Sequence, residues 1–187
     1  DGIYINATTG RVYISNVLSQ RFRHGISITT GNLCRLDHVV LLSNTSCGIL
    51  CDTGGVDNNA HLITHLDARS NYIGMHLRNS NWNTIINPVV QSSVSRGFFF
   101  NAATQNVLVG AYNENNGVNN IGFNSTATAN MILGVRPSQQ SIDQTSGTTN
   151  LVLTHWSPNG PTWQWFGASA FDEISVDDRA LTGRWRF

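Results

Sequence analysis

The residues best suited to joint chemistry are Asp52, His76 and Arg78: a carboxylate, an imidazole and a guanidinium. Asp52 or His76 can serve as general acid or base. Arg78 can neutralise a substrate carboxylate or a developing enolate. Phe99, Tyr4 and Asn101 add stacking and hydrogen-bonding surface, so the set suits an anionic sugar. The same residues have a plainer reading, a surface ion pair between Asp52 and Arg78 beside a solvated histidine, and such pairs contribute little.

Acids are scarce around this set. Glycosidases generally need two carboxylates, and the candidates to partner Asp52 are Asp67 and Glu114, which follow a different strand of the repeat described below. A calcium-dependent lyase needs two or three acids converging on the ion, and Asp52 with Asp57 is a thin supply. No cofactor is therefore expected, Ca2+ being the one cation the lyase reading admits, and no metal-ligating residues are assigned. His61 and His65 are four apart but not on a helix, so they do not form a zinc-protease pair; His65 reads as a corner residue. Asp172, Glu173, Asp177 and Asp178 beside Arg179 read as a solvated acidic face.

The elements that must position these residues repeat. A glycine followed by alternating large and small residues occurs at Gly2, Gly25, Gly48, Gly74, Gly97 and Gly122, in steps of 23 to 26 residues. Such a period is the mark of a solenoid. Each repeat holds three strand-like pieces. The glycine phrase is the first, with inward columns predicted as Ile3-Ile26-Ile49-Met75-Phe98-Phe123 and Ile5-Ile28-Cys51-Leu77-Phe100. Phe in place of Ile in the later copies predicts a wider or repacked interior there. A second piece ends at a residue tolerant of left-handed backbone, read as Ser15, Asp37, His65, Asn87, Gly110 and Gly134, which predicts a sharp corner. A short third piece follows. Alternation along the first strand puts Tyr4, Ser27, Leu50, His76, Phe99 and Asn124 outward, with Asn6, Thr29, Asp52, Arg78 and Asn101 just beyond, so stacking brings Asp52, His76 and Arg78 onto neighbouring coils.

Composition excludes several classes. The 187 residues are 40% hydrophobic, 12% charged and formally neutral, and all eleven basic residues are arginine. A neutral chain without a basic stripe argues against nucleic acid as a partner. The longest aliphatic run, Val39 to Leu42, is too short to insert in a bilayer. Asp1 to Ser15 have no signal-peptide pattern, and the uncapped first repeat suggests a piece of a longer protein. Cys34, Cys47 and Cys51 are too few for a disulfide framework; Cys34 and Cys51 fall at interior positions, as inert thiols.

Three strands per coil, a tight corner and no helical period describe an all-β, right-handed parallel β-helix of about six coils. Residues 2 to about 136 resemble the pectate-lyase-like β-helix superfamily, which includes pectate lyases, polygalacturonases and bacteriophage tailspikes. In those families a turn is often lined by stacked asparagines; here the matching corner is mixed, so the resemblance is architectural. It implies a polysaccharide partner and a substrate site along the first strand. The tailspike likeness implies a homotrimer located outside the cell or on a virion.

The chain divides into a solenoid at 1–137, a linker or long loop at 138–150 and a Trp-rich segment at 151–187. The last is read as a cap, an oligomerisation element or a carbohydrate platform in which Trp163 and Trp165 stack on sugar rings. Tailspike-like polysaccharide recognition is the expectation, with cleavage left open. The alternatives are a secreted polysaccharide lyase or glycoside hydrolase, and a non-catalytic stalk.

Overall fold

The computed structural model describes residues 1–6, 11–52, 58–124, 126–137, 142–143 and 149–154. The chain enters through β1 (Ile3–Asn6) and β2 (Tyr13–Gln20), then β3 (His24–Asn32) and β4 (Arg35–Leu42). The next pass holds β5 (Cys47–Asp52), β6 (Asn58–Asn59), β7 (Leu62–Thr64) and β8 (Asp67–Arg69). Two three-strand passes follow: β9 (Ile73–Arg78), β10 (Thr84–Ile86) and β11 (Val89–Gln91), then β12 (Arg96–Asn101), β13 (Val107–Val109) and β14 (Tyr112–Glu114). β15 (Asn119–Phe123), β16 (Met131–Pro137), β17 (Ile142–Asp143) and β18 (Leu151–Thr154) complete the described strands.

Every pairing is parallel and joins a strand to its counterpart one pass away. The first strands form one sheet in the order β1-β3-β5-β9-β12-β15-β17. The second and third pieces share a ten-stranded sheet, and in β2, β4 and β16 they run together as one strand. The fold is thus an all-β parallel solenoid of about five turns. Six glycine phrases were read as about six coils, but six phrases enclose only five intervals. Both sheets run past Pro137: β17 pairs with β15, and β18 with β16. Among the described residues no helix is long and apolar enough to cross a membrane.

The glycine column has a steric cause. A Cβ on Gly2, Gly25, Gly48, Gly74 or Gly97 would stand 2.5–2.8 Å from the carbonyl oxygen of the equivalent residue in the next coil, nearer than real Cβ contacts. The column ends at Asn120, not Gly122. Phe98 pairs with Ile121 and Phe100 with Phe123, so the inward columns close on Ile121 and Phe123, and Gly122 takes the outward position expected for Asn124.

The corner column also needs correction. The positive-φ residues are Asn16, His38, His65, Asn87, Gly110 and Gly134, with φ from 50° to 65°. Ser15 and Asp37 stand one residue earlier, in register with Thr64. Backbone hydrogen bonding continues through these corners: Asn87 N–H donates to Val109 O at 2.9 Å, and Gly110 N–H to Leu133 O at 2.9 Å.

An asparagine ladder does exist, at the other end of the second strand. Asn83, Asn106, Asn130 and Asn150 are buried and stacked. Each Oδ1 accepts from the backbone N–H of the preceding coil's member, and Asn106 Nδ2 donates to Asn130 Oδ1 at 2.8 Å. His61 and Cys34 continue the column, with Cys34 N–H donating to His61 Nδ1 at 3.2 Å. His61 is thus a ladder member, its ring nitrogen doing what an asparagine oxygen does elsewhere.

Candidate functional site

Three rows of side chains stand on the outer face of the first sheet. One runs Tyr4, Ser27, Leu50, His76, Phe99, Gly122. A second holds Asp52, Arg78 and Asn101 in register. The third, His24, Cys47, Ile73, Arg96 and Asn119, is formed by the residue before each glycine position. Strict alternation would turn this row inward. At the glycine the alternation skips a beat, because the glycine itself faces the interior: a Cβ on Gly48 would stand 3.4 Å from core Ala68. Cys47, Leu50 and Ile73, with Phe99 against them, accordingly form a small apolar cluster separate from the main core.

Polar groups are set into this apolar patch. Arg78 Nη2 donates to Asp52 Oδ2, a bond that raises the affinity of Arg78 for its proton. Asn124 Nδ2 donates to Asn101 Oδ1. The His76 and Phe99 rings lie 4.9 Å apart at 31°, and the Arg96 guanidinium covers Phe99 at 4.4 Å from the ring centroid, a cation–π contact. Burial pushes His76 down to about 4, with Arg78 lowering it further, so its imidazole is neutral at pH 7. Burial also lowers His24 and pushes the Cys47 thiol up to about 11. All three cysteines are free and buried.

Five buried side-chain atoms have no hydrogen-bond partner among the described residues, and four belong to this face: His24 Nδ1, His76 Nε2, Arg96 Nε and Asn119 Oδ1. Each such group costs about 1–3 kcal/mol when left unsatisfied. The four gather beneath the outer face of one sheet.

The structure therefore brings Asp52, His76, Arg78, Phe99 and Asn101 together. Tyr4 shares the His76 row but stands three strands away, about 14 Å at the usual strand spacing; its hydroxyl accepts from Thr29 Oγ1 at 3.1 Å. Trp163, Trp165, Asp57 and the acidic patch at 172–178 lie outside the described residues. Asp67 and Glu114 are engaged on the second sheet, with Arg69 at 2.6 Å and with Gln91 at 2.9 Å. Asp143 is a second carboxylate in these rows, level with Gly122 but four strands from the strand of Asp52. His24, Arg96 and Asn119 are the functional candidates that sequence reasoning missed. Their recurrent place before the glycine position was the available signal.

Compared with protein-family models, with curated proteins and with solved structures, the chain gives no match. The class defined by fold and face is a parallel β-solenoid whose first sheet carries a mixed polar and apolar outer face.

Two histidines, His61 buried and His76 partly buried, make stability depend on pH. Burial pushes both His61 and His76 down to about 4, whereas an unfolded chain takes up these protons near the ordinary value of about 6.5. Between those values the unfolded state binds more protons, so stability falls as pH falls. Each group accounts for on the order of 3 kcal/mol across that window. His61→Asn keeps a ladder residue and removes the titration. We expect its urea midpoint to drop less than the wild type's between neutral pH and about pH 4.5. Parallel drops in both proteins would contradict this.

Proposed function

We infer that this chain is a polysaccharide-recognition solenoid of the tailspike kind, and that it binds an acidic glycan across the outer face of the first sheet. The observation that carries this reading is the gathering of Arg78, Arg96, His76 and Phe99 on adjacent strands of that face. An anionic ligand is supported by Arg78 and Arg96, which stand on the two strands nearest Phe99, whereas Asp52 lies on β5 and Asp143 two strands beyond β12. Phe99 provides a ring for stacking on a sugar, flanked by His76 and Arg96. Asn101 lies one coil beyond Arg78 and extends the polar row. Along a solenoid such rows repeat about every 4.8 Å, so a linear polymer can meet several coils at once. In this reading the protein acts outside the cell or on a virion, as a homotrimer.

A second reading, cleavage by a lyase, is favoured by one feature. His76 is neutral at pH 7 beside Arg78, so it is an available, though weak, base next to a uronate carboxylate that Arg78 can neutralise. A hydrolase is less well supported, because the carboxylate that shares these rows with Asp52, Asp143, stands four strands away, about 19 Å at the usual strand spacing and too far for a catalytic pair.

Affinity electrophoresis against uronate-bearing and neutral polysaccharides tests the first reading. We expect retention by one or more acidic polymers, weakened about ten-fold or more in Arg78→Ala and Arg96→Ala, as loss of a charge-assisted hydrogen bond implies. Equal retention by neutral polymers, or none by acidic ones, would overturn it. Unsaturated sugar ends appearing in the same mixtures, and absent with His76→Ala, would establish the lyase. Light scattering on the same samples checks the trimer.

A further inference from the structure

We propose that Asp37, His38 and His65 form a binding site for a divalent transition-metal ion of the zinc class, bridging two coils at the corner of the second sheet. This site lies away from the glycan-binding face and does not depend on that reading.

The corner geometry builds it. His38 and His65 occupy the same left-handed position in successive coils, each at φ 51°. Equivalent residues of adjacent coils stack, so the two imidazoles lie face to face, with centroids 4.3 Å apart and planes 20° apart. Asp37 precedes the corner and turns its carboxylate to the same side. His38 Nδ1 lies 3.0 Å and His65 Nδ1 3.1 Å from Asp37 Oδ1. Thr64 Oγ1, in register with Asp37, donates to that oxygen at 2.5 Å. One ligand atom from each of Asp37, His38 and His65 falls within 4.8 Å of the others.

The donor separations suit a metal once the stacked rings turn. Zn2+ sits about 2.0–2.2 Å from imidazole nitrogen and carboxylate oxygen, which puts tetrahedral donors about 3.3 Å apart. The two Nδ1-to-Oδ1 edges are already close to that length, so an ion enters when the stacked imidazoles turn their Nδ1 lone pairs toward it in place of the contacts with Asp37. The Asp37 carboxylate supplies the hard anionic ligand beside two imidazole nitrogens. Thr64 orients the carboxylate as an outer-shell partner. Two nitrogens and one carboxylate favour Zn2+, Ni2+ or Cu2+ over Ca2+ or Mg2+, which take oxygen ligands. The histidine side chains are 58% and 52% exposed, so ions reach the site from solvent, and the fourth position stays open to water or a group from another molecule. The bound ion would clip two coils together at a corner held otherwise by backbone hydrogen bonds.

Asparagine occupies the same corner in the coils before and after, at Asn16 and Asn87. His38→Asn with His65→Asn is therefore a substitution the backbone accepts. Isothermal titration of the full chain with ZnCl2, beside this double variant and Asp37→Asn, tests the site. We expect saturable Zn2+ binding in the wild type, a loss of ten-fold or more in the double variant with an unchanged circular-dichroism spectrum, and a weaker loss in Asp37→Asn. Imidazole 15N shifts should move at Nδ1 of His38 and His65 on adding Zn2+. Undiminished binding in the double variant, Ca2+ competing equally with Zn2+, or no heat with Zn2+ in the micromolar range would each overturn the proposal.

Discussion

Asn106→Ala is expected to lower stability by about 3 kcal/mol or more, because it removes the middle of a buried ladder whose members cannot turn to solvent. Asn106 Oδ1 accepts from the Asn83 N–H at 3.0 Å and from Asn83 Nδ2 at 2.8 Å. Its Nδ2 donates to Asn130 Oδ1 at 2.8 Å and to Ser80 O at 3.1 Å. Alanine deletes all four bonds and strands the Asn83 N–H where no water reaches it. Buried donors without partners cost more than a made bond contributes, and coupled ladders lose more than one pair. Urea denaturation, followed at the main unfolding transition, measures the loss. A change below about 1 kcal/mol would mean the amides merely fill space.

Phe100→Ala should cost about 3–5 kcal/mol, the range for deleting a buried aromatic. Phe100 is fully buried and stacks on Phe123 at 5.0 Å between centroids. The same cluster contains Ala103, Ala111 and Ala127. The later coils are therefore repacked, large rings on the first sheet accompanying small residues elsewhere. The hydrogen-bonded coils are held at strand spacing, so the walls cannot close on the space an alanine would leave. Phe100→Leu retains most of the volume and should cost about 1 kcal/mol. Equal losses for the two variants would show that the interior can collapse, contrary to this account.

The glycine column shows how a fold becomes legible before any coordinates exist. A carbonyl of the next coil blocks a Cβ at one place in each turn, so the sequence must repeat there, and the period exposes the solenoid. The asparagine ladder was equally written into the chain, at Asn83, Asn106, Asn130 and Asn150, one residue before each second strand. It was sought one corner away, where left-handed backbone rather than an amide is required. That corner needs only a residue tolerant of φ near 50°, and Asn, His and Gly all meet the need, so no single type repeats.

The candidate site was half visible. Asp52, His76, Arg78, Phe99 and Asn101 follow from simple alternation. Arg96, His24 and Asn119 do not, because the glycine and the residue after it both face inward and the residue before it turns out. The Asp37–His38–His65 cluster was hidden by a one-residue error in aligning the early corners, which put Asp37 in the place of His38. A period of varying length cannot say which residues lie level.

By itself the sequence determined that the chain coils, how often it returns and which apolar columns fill most of the interior, because steric exclusion and burial act on residue types at each turn. Only the tertiary structure decided which polar side chains share a face. That depends on coil-to-coil register, set by parallel hydrogen bonding across loops of unequal length and by the skipped alternation at each glycine.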